Sequence, residues 1–596
     1  MKTWRFLWRV IRYQPWLYGI DALGVIVFQQ FRIVFGLILQ ASFNILARDT
    51  RLSLTLWLLL ALLMVAALVR FLGYLGAEFA YVLNRFSISA LLRRNMLKHI
   101  LEQPGGRALP DSPGEAISRF RDDVTAVDAM IDRLADIVGL AIFAVVSMVI
   151  LVRVDAQITL LVFVPLICIV ALVQAMTKRL EKYRRASREA TARVTGAIGE
   201  IFGAVQAIQV AGAEPYVVEH FESLSKQRRT QVIRDRVQSE ALNSVFENTA
   251  GIGTGFILIL VALSLHTRHL GVGDLALFIY YLNFVTDFTG MAGMLLAQYT
   301  QTKVSVERME RLLQGVPPEM LVAPHTLHLK GPLPETPSIA KTEQDRLEML
   351  EAVDLTYRYP DTTRGITGVS LCLKRGSLTV ITGRVAAGKT TLVRVLLGLL
   401  PRDSGEIHWN GALVADPATF CVPPRCAYTP QVPRLFSETL KANILLGLSE
   451  ESVDLPGAIH AAVMERDVAS LEDGLQTVIG TRGLKLSGGQ AQRTAAARML
   501  VRTPELLVFD DLSSALDVET ERILWERIFS GDMATCLVVS HRRAVLQRAD
   551  HIIVLKDGRV EACGMLEVLL ETSEEMQRLW RGDFGAPEDE EGEVLE

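Results

Sequence analysis

Apolar residues gather in long runs over the first half of the chain, at about 16–46, 54–84, 130–153, 157–177, 243–266 and 272–300. Each reaches the roughly 20 residues that a helix needs to cross the hydrocarbon core of a bilayer. The pattern predicts six membrane-spanning helices within residues 16–315. Their connections alternate in length. Ala47–Leu52, Arg153–Ala156 and Thr267–Gly271 are short. The other two are long and basic, one with Arg93, Arg94, Lys98, Arg119 and Arg121, the other with Lys178, Arg179, Lys182, Arg184, Arg185 and Arg188. Basic connections stay on the cytoplasmic side, which assigns both termini and the long connections to the cytosol. Leu91–Glu102 and Glu200–Leu224 keep a helical spacing of apolar residues, so these connections read as helices that run on past the bilayer. Residues 1–15, with Trp4, Arg5, Trp8, Arg9 and Arg12, read as an interfacial helix at the headgroups.

The pattern changes after residue 315. The segment 316–348 holds Pro317, Pro318, Pro324, Pro332, Pro334 and Pro337, which a continuous helix does not tolerate, and it reads as an extended linker. Strands then alternate with helices over 349–580, the pattern of an α/β sheet. Leu378–Thr382 is a β-branched strand that runs into Gly383-Arg384-Val385-Ala386-Ala387-Gly388-Lys389-Thr390-Thr391, and Leu392–Leu400 continues as a helix. This is G-x-x-x-x-G-K-T between strand and helix, the setting a phosphate-cradling loop needs. Backbone N–H groups at the helix start would hold phosphates, Lys389 the β/γ oxygens, and the Thr390 hydroxyl Mg²⁺. Further on, Leu486–Gln490 (LSGGQ) opens onto an Ala/Arg/Leu-rich helical run, which alone could be any glycine turn before a helix. Leu506–Phe509 reads as a strand buried on both faces. It ends on Asp510 and Asp511, at the strand end where α/β sheets bind ligands.

Taken together, Leu486–Asp517 resembles the signature, Walker B strand and D-loop (Ser514-Ala515-Leu516-Asp517) of ATP-binding cassette (ABC) proteins. The rest of the chain resembles an exporter-type half-transporter of that family: a six-span α-helical membrane domain followed by an α/β P-loop nucleotide-binding domain, with ATP and Mg²⁺ as cofactors. The resemblance implies roles residue by residue. Tyr359 matches the aromatic that stacks on adenine, with Tyr357 as a competitor, and Gly383–Thr391 matches the Walker A loop. Gln431 matches the Q-loop glutamine that senses Mg²⁺ and the γ-phosphate. Asp510 matches the Mg²⁺ ligand of Walker B, and His541 the switch histidine after its strand. Ser487, Gly488, Gly489 and Gln490 form a signature that serves ATP held by a second half-transporter. Short coupling helices are expected near Pro104–Ser112 and at Ala213–Phe221, by the same resemblance.

Three positions depart from the family pattern. Ala386 stands where a further glycine is usual, and Thr481 replaces a glutamate in Val478–Gly483. Asp511 replaces the glutamate that positions or deprotonates the attacking water. It is one methylene shorter, and a shift of roughly 1 Å in a catalytic group can cost about a hundredfold in rate. Asp511, His541 and Gln431 are thus the candidate catalytic residues of a site expected to bind ATP and hydrolyse it slowly. An intact signature beside a weakened Walker B resembles the degenerate-site subunit of a heterodimeric exporter, and a heterodimer is favoured over a homodimer.

Composition narrows the alternatives. Half of the 596 residues are hydrophobic and 21% are charged, and the mean hydropathy of +0.29 suits a membrane protein. A net charge of −4 gives no reason to expect nucleic acid as a partner. Cys421 and Cys426 lack the His or second Cys pair of a zinc site, and the cysteines read as reduced thiols of a cytosolic domain. Met1–Pro15 lacks the apolar core of a cleavable signal, no peptidase domain precedes the first span, and the tail Pro587–Glu596 is acidic, as disordered segments are. Charges inside apolar runs, namely Asp21, Arg32, Arg70, Glu78, Asp136, Glu247 and Asp287, are costly at membrane depth. They are candidate functional groups, or partners of headgroups and neighbouring helices. The expected function is ATP-driven export of a small hydrophobic or amphipathic compound across a bacterial inner (plasma) membrane. A homodimeric exporter using Asp511, an importer on the same fold and a nucleotide-gated regulatory subunit are the alternatives.

Overall fold

The computed structural model describes residues 2–48, 54–103, 113–264, 271–328, 331, 341–360, 362, 364–480, 486–512, 516–530 and 535–582. The chain forms two compact units, residues 1–100 with 110–327, and 101–109 with 328–596.

The first unit is helical. Helices α1 (Thr3–Tyr13), α2 (Pro15–Arg48), α3 (Leu54–Glu102), α4 (Pro113–Ser118), α5 (Val124–Val154), α6 (Ala156–Gly203), α7 (Val205–Ala211), α8 (Glu214–Ser264) and α9 (Val272–Leu312) follow in order. Six of them (α2, α3, α5, α6, α8 and α9) hold the six apolar runs, the fifth as far as Ser264. Among the described residues, three stretches are long and apolar enough to cross a membrane, Pro15–Ala47, Leu54–Glu102 and Gly114–Val154. The Arg153–Ala156 break is a tight turn. The Asp155 carboxylate caps α6 by accepting the Ile158 N–H at 2.9 Å, satisfying a donor that a helix start leaves open. Close packing of α2 on α9 depends on a glycine, since a Cβ on Gly36 would lie 2.4 Å from the Tyr281 ring. The Tyr281 hydroxyl, buried with that ring, donates to Ile33 O at 2.8 Å.

Two expectations need correction here. Glu200–Leu224 is not one helix. It breaks at Ala204 and again at Gly212, whose φ of +59° is left-handed, the usual end of a helix. Ala213–Phe221 is no separate short helix either. Ala213 precedes α8, and Glu214–Phe221 are its first turns in a run of 51 residues. Pro215 sits in the first turn, where it breaks no hydrogen bond, and nothing after it stops the helix. The segment Pro104–Ser112, the Ala47–Leu52 and Thr267–Gly271 connections beyond their ends, Thr481, Ser514, Ala515 and the acidic tail lie outside the described residues.

The start of the proline-rich segment is also packed rather than extended. Pro318–Val322 forms a 3-10 helix whose Leu321 and Val322 are buried with Phe6, Leu7 and Val10 of α1 and Met309 and Leu312 of α9. Asn95 donates to Leu321 O and Ala323 O, both at 3.0 Å. The apolar pair after Pro318 explains the docking. In α1 itself, Phe6, Leu7 and Val10 form the inner stripe, while Trp4 and Trp8 face outward at 53% and 62% exposure.

The second unit contains two sheets. Strands β1 (Met349–Arg358), β2 (Gly365–Lys374), β4 (Ser404–Trp409) and β5 (Ala412–Leu413) make an antiparallel sheet of order β2-β1-β4-β5. Strands β3 (Leu378–Gly383), β6 (Cys426–Thr429), β7 (Leu506–Asp510), β8 (Thr535–Val539), β9 (His551–Lys556) and β10 (Arg559–Gly564) make the other, of order β10-β9-β3-β8-β7-β6. Its five strands β9, β3, β8, β7 and β6 are parallel. Every residue of β3, β7 and β8 is buried, as a parallel sheet covered on both faces requires. Register sets the strand ends level: Ile381 pairs with Val539, Asp510 with Val539, and Phe509 with Thr429. The loops leaving β3, β8, β7 and β6 therefore emerge side by side.

Phe6→Ala should destabilise the first unit by about 3–5 kcal/mol, the usual cost of emptying a buried Phe site, whereas Trp8→Ala should cost far less. Thermal unfolding of both variants in mild detergent checks the order; equal losses would mean that α1 is not seated through its Phe6 stripe.

Candidate functional site

The loop after β3 closes around its own backbone. A Cβ on Gly383, at φ +148°, would lie 2.2 Å from Leu555 O, so only glycine fits there. Ala386 adopts φ +68°, a left-handed conformation that costs an L-residue about 1–2 kcal/mol and that the more usual glycine would accept freely. Gly388, at φ +96°, precedes helix α10 (Lys389–Leu396), whose first backbone N–H groups point at the loop mouth. The Lys389 ammonium donates to Gly383 O at 2.7 Å and Arg384 O at 2.6 Å. Burial lowers its pKa, and the Asp511 and Asp510 carboxylates oppose that shift.

Strand β7 ends on Asp510, which is 1% exposed. Its two oxygens are held separately, Oδ1 by the Thr390 hydroxyl at 3.0 Å and Oδ2 by the Tyr428 hydroxyl at 3.1 Å. Burial raises the Asp510 carboxyl above its ordinary range, and these two donors with Arg394 and Lys389 pull it back. Burial and the Asp510 charge push the Tyr428 phenol up to about 12, so it remains a donor. Tyr428 has no role in the sequence reading, since the carboxylate it serves lies 82 residues away. Asp511 follows with φ +52°, a conformation that turns its side chain out of the sheet, and its N–H donates to Val539 O at 3.0 Å. Asp511 Oδ2 accepts Gln431 Nε2 at 3.2 Å, while Oδ1 is buried with no hydrogen-bond partner among the described residues. Burial raises the Asp511 carboxyl; His541, Gln431 and Arg542 oppose this and Asp510 adds to it.

These groups line one cavity of about 750 Å³, which takes in Tyr359, residues 385–391, Gln431, Asp510, Asp511 and His541. The ends of four strands, β3, β6, β7 and β8, thus supply one site. Tyr359 lies at its edge, its hydroxyl 3.3 Å from Thr391 Oγ1. Tyr357 is buried at 2% exposure and packs edge-on against the Tyr359 ring, with centroids 5.1 Å apart, so it is no competitor at the cavity wall. Ser487, Gly488, Gly489 and Gln490 do not line the cavity. They start a separate helix, Gly488–Leu500, through a reciprocal cap: Ser487 Oγ accepts the Gln490 N–H at 3.3 Å, and Gln490 Oε1 accepts the Ser487 N–H at 2.9 Å. Gln490 Nε2 and Arg493 both donate to Asp467, at 3.1 and 2.6 Å.

The chemistry of the donors fits Mg²⁺ and a nucleotide triphosphate. Mg²⁺ is bound through one or two protein oxygens with phosphates and water completing the shell, and Asp510 with Thr390 offers a buried carboxylate next to a hydroxyl. The loop supplies backbone N–H groups and Lys389 for phosphate charge. When bound, the metal neutralises charge on the transferring phosphate.

Residues 20–287 match the family described as ABC transporter transmembrane region, and residues 366–514 match the family described as ABC transporter. Together the two matches take in most of the chain. The chain belongs to the ABC transporters. It is a half-transporter of the exporter type, with a transmembrane helical domain, an ATP-binding domain on the cytosolic side of the bacterial inner membrane, and an ATPase activity coupled to transport. It is 26% identical over 526 residues to an ATP-dependent lipid A-core flippase of Ralstonia nicotianae, covering 87% of this chain and 86% of that one. It is 28% identical over 526 residues to the flippase of the same description from Dechloromonas aromatica, covering 85% of each. In fold it is similar to a bacterial Atm1-family ABC exporter with ATP bound, with a TM-score of 0.75 and 20% identity, over 95% of this chain and 99% of that one.

Tyr428→Phe removes a donor to a buried charge and should cost about 1.5–3 kcal/mol where Asp510 is ionised. The sign follows from linkage. The phenol favours the charged carboxylate, so its loss raises the folded pKa of Asp510 further. A carboxyl raised in the folded state loses stability as pH rises through that pKa, so the deficit should be larger at pH 8 than at pH 5. Melting the nucleotide-free protein at both values checks this; a deficit independent of pH would remove Asp510 from the explanation. Ala386→Gly should stabilise by about 1 kcal/mol, the left-handed cost less the extra freedom of unfolded glycine, with ATP binding retained.

Proposed function

We propose that this half-transporter pairs with a different, related half-transporter, and that the ATP site built on its own Walker motifs is the slow one of the pair. The observation that carries this reading is Asp511. It holds the position of the usual catalytic glutamate with a shorter side chain, and one of its oxygens is taken by Gln431 at 3.2 Å. Asp510 and Thr390 keep the metal-binding pair, Lys389 and the loop amides keep the phosphate cradle, and Tyr359 stacks on the adenine. Binding is therefore retained while turnover is slow. Ser487–Gln490, capped and presented on a separate helix, serve ATP held by the partner. Six helices of the membrane unit span the bilayer with both termini in the cytosol, residues 1–15 lie at the interface, and the segment around 316–348 links to the ATP-binding domain of 349–580. Binding of ATP closes the two nucleotide domains, and the cytosolic helix ends transmit that motion to the membrane helices. The substrate is a hydrophobic or amphipathic compound; the lipid A-core flippases among the relatives support a lipid-like one.

One observation favours a second reading, a homodimer that hydrolyses ATP with Asp511. Asp511 lines the cavity beside Gln431 and His541, and only its Oδ2 is taken by a protein hydrogen bond among the described residues. The two readings differ in one substitution. With Asp511→Glu, turnover at this chain's own ATP site, read in the native assembly with the partner's catalytic glutamate replaced by glutamine, should rise about tenfold or more, since a displacement of roughly 1 Å is worth up to about a hundredfold. An unchanged rate would mean that Asp511 already reaches its target and would sink the slow-site reading.

A further inference from the structure

The last helix of the described chain, Glu574–Arg581, touches two of the loops that build the cavity. In its first turn Glu575, whose side chain is 2% exposed, accepts Arg384 Nε at 2.6 Å, and Arg384 is itself 13% exposed. The second Glu575 oxygen lies 4.0 Å from Lys556 Nζ. Arg384 is the second residue of the phosphate-binding loop, and its carbonyl accepts the Lys389 ammonium at 2.6 Å. A side-chain tether and a main-chain tether thus meet on one residue. In the last turn of the same helix, Trp580 O accepts Arg543 Nε at 3.1 Å and Nη2 at 2.6 Å. The Arg543 guanidinium also lies 5.2 Å from the centre of the Trp580 ring. Arg543 stands two residues after His541. The helix is seated by Met576 and Leu579 in the core, capped at its start by Ser573, whose Oγ accepts the Met576 N–H at 3.2 Å, and ended by left-handed Gly582.

A buried carboxylate that loses its guanidinium is left as an uncompensated charge, so the Glu575–Arg384 contact is held firmly. The helix rise from Glu575 to Trp580 is about 7.5 Å, and this rigid length separates the two attachment points. We propose that the Glu574–Arg581 helix is a strut that holds the phosphate-binding loop and the His541 loop in register. Glu575 and Arg543 are its positioning residues: they touch no substrate and act through Arg384, Lys389 and the His541 loop. The inference rests on the Gly383–Thr391 loop being an ATP site.

The test is photolabelling of this chain, in its native assembly, with Mg²⁺ and 8-azido-ATP, alongside thermal unfolding of each variant without nucleotide. Absence of saturable labelling in the unaltered chain would refute the ATP site itself, whatever the strut does. Given labelling, Glu575→Gln keeps the shape and removes the charge, and should raise the half-saturating concentration about tenfold. Replacing both partners, Glu575→Met with Arg384→Met, keeps an apolar fill that commonly preserves stability. It should weaken labelling no more than Glu575→Gln alone, because coupled positions are not additive. Arg543→Ala should weaken labelling several-fold and Arg543→Lys should restore most of it. Variants that melt earlier yet label like the unaltered chain would reduce the helix to a stability element and overturn the proposal. A double variant weakened about a hundredfold, the product of two independent losses, would overturn it as well.

Discussion

The buried carboxylate of Asp510 is the constraint from which the ATP-binding unit can be rebuilt. A charge that has lost its water must be hydrogen-bonded or it neutralises, and here each oxygen has one hydroxyl donor, from Thr390 and Tyr428. Thr390 belongs to the first turn of α10, which follows β3, and Tyr428 to β6, so one side chain at the end of β7 ties together the ends of three strands. The parallel register makes this possible by bringing the strand ends level. The same crowding turns Asp511 outward with a left-handed backbone and sets its carboxylate against Gln431.

Strain and charge meet at this edge of the sheet. Ala386 and Asp511 both adopt left-handed backbone conformations, and Lys389, Asp510 and Asp511 share a partly desolvated cavity. Arrangements of this kind are common where binding energy later offsets the cost. Strands β3, β7 and β8 are buried throughout, so the site is an unfavourable local arrangement carried by a favourable sheet.

Much of this was legible in the residues themselves. The glycines, Lys389 and Thr390 announced the loop because each has a steric or charge reason to be there, and the four-residue apolar run before Asp510 announced a strand closed on both faces. Tyr359 and Tyr357 could not be told apart in sequence, as both are aromatic and two residues apart at the end of a strand; only burial separates them. Tyr428 and Glu575 left no local signal because their partners are distant in sequence, 82 and 191 residues away. Ala213–Phe221 was misread because a helix start and a short helix share the same spacing of apolar residues, and what distinguishes them is whether anything stops the helix downstream. The segment around Leu321 was misread because prolines exclude a long helix without excluding a short packed one.

The central claim is that Asp511 marks a binding site completed by an unlike partner. The most direct measurement is the subunit composition of the tagged chain, purified in mild detergent from its own host and read by intact mass. The account predicts a second, different chain of similar size whose sequence carries glutamate at the position matching Asp511. A single species at twice 66.0 kDa would contradict it and make Asp511 a working catalytic residue of a homodimer.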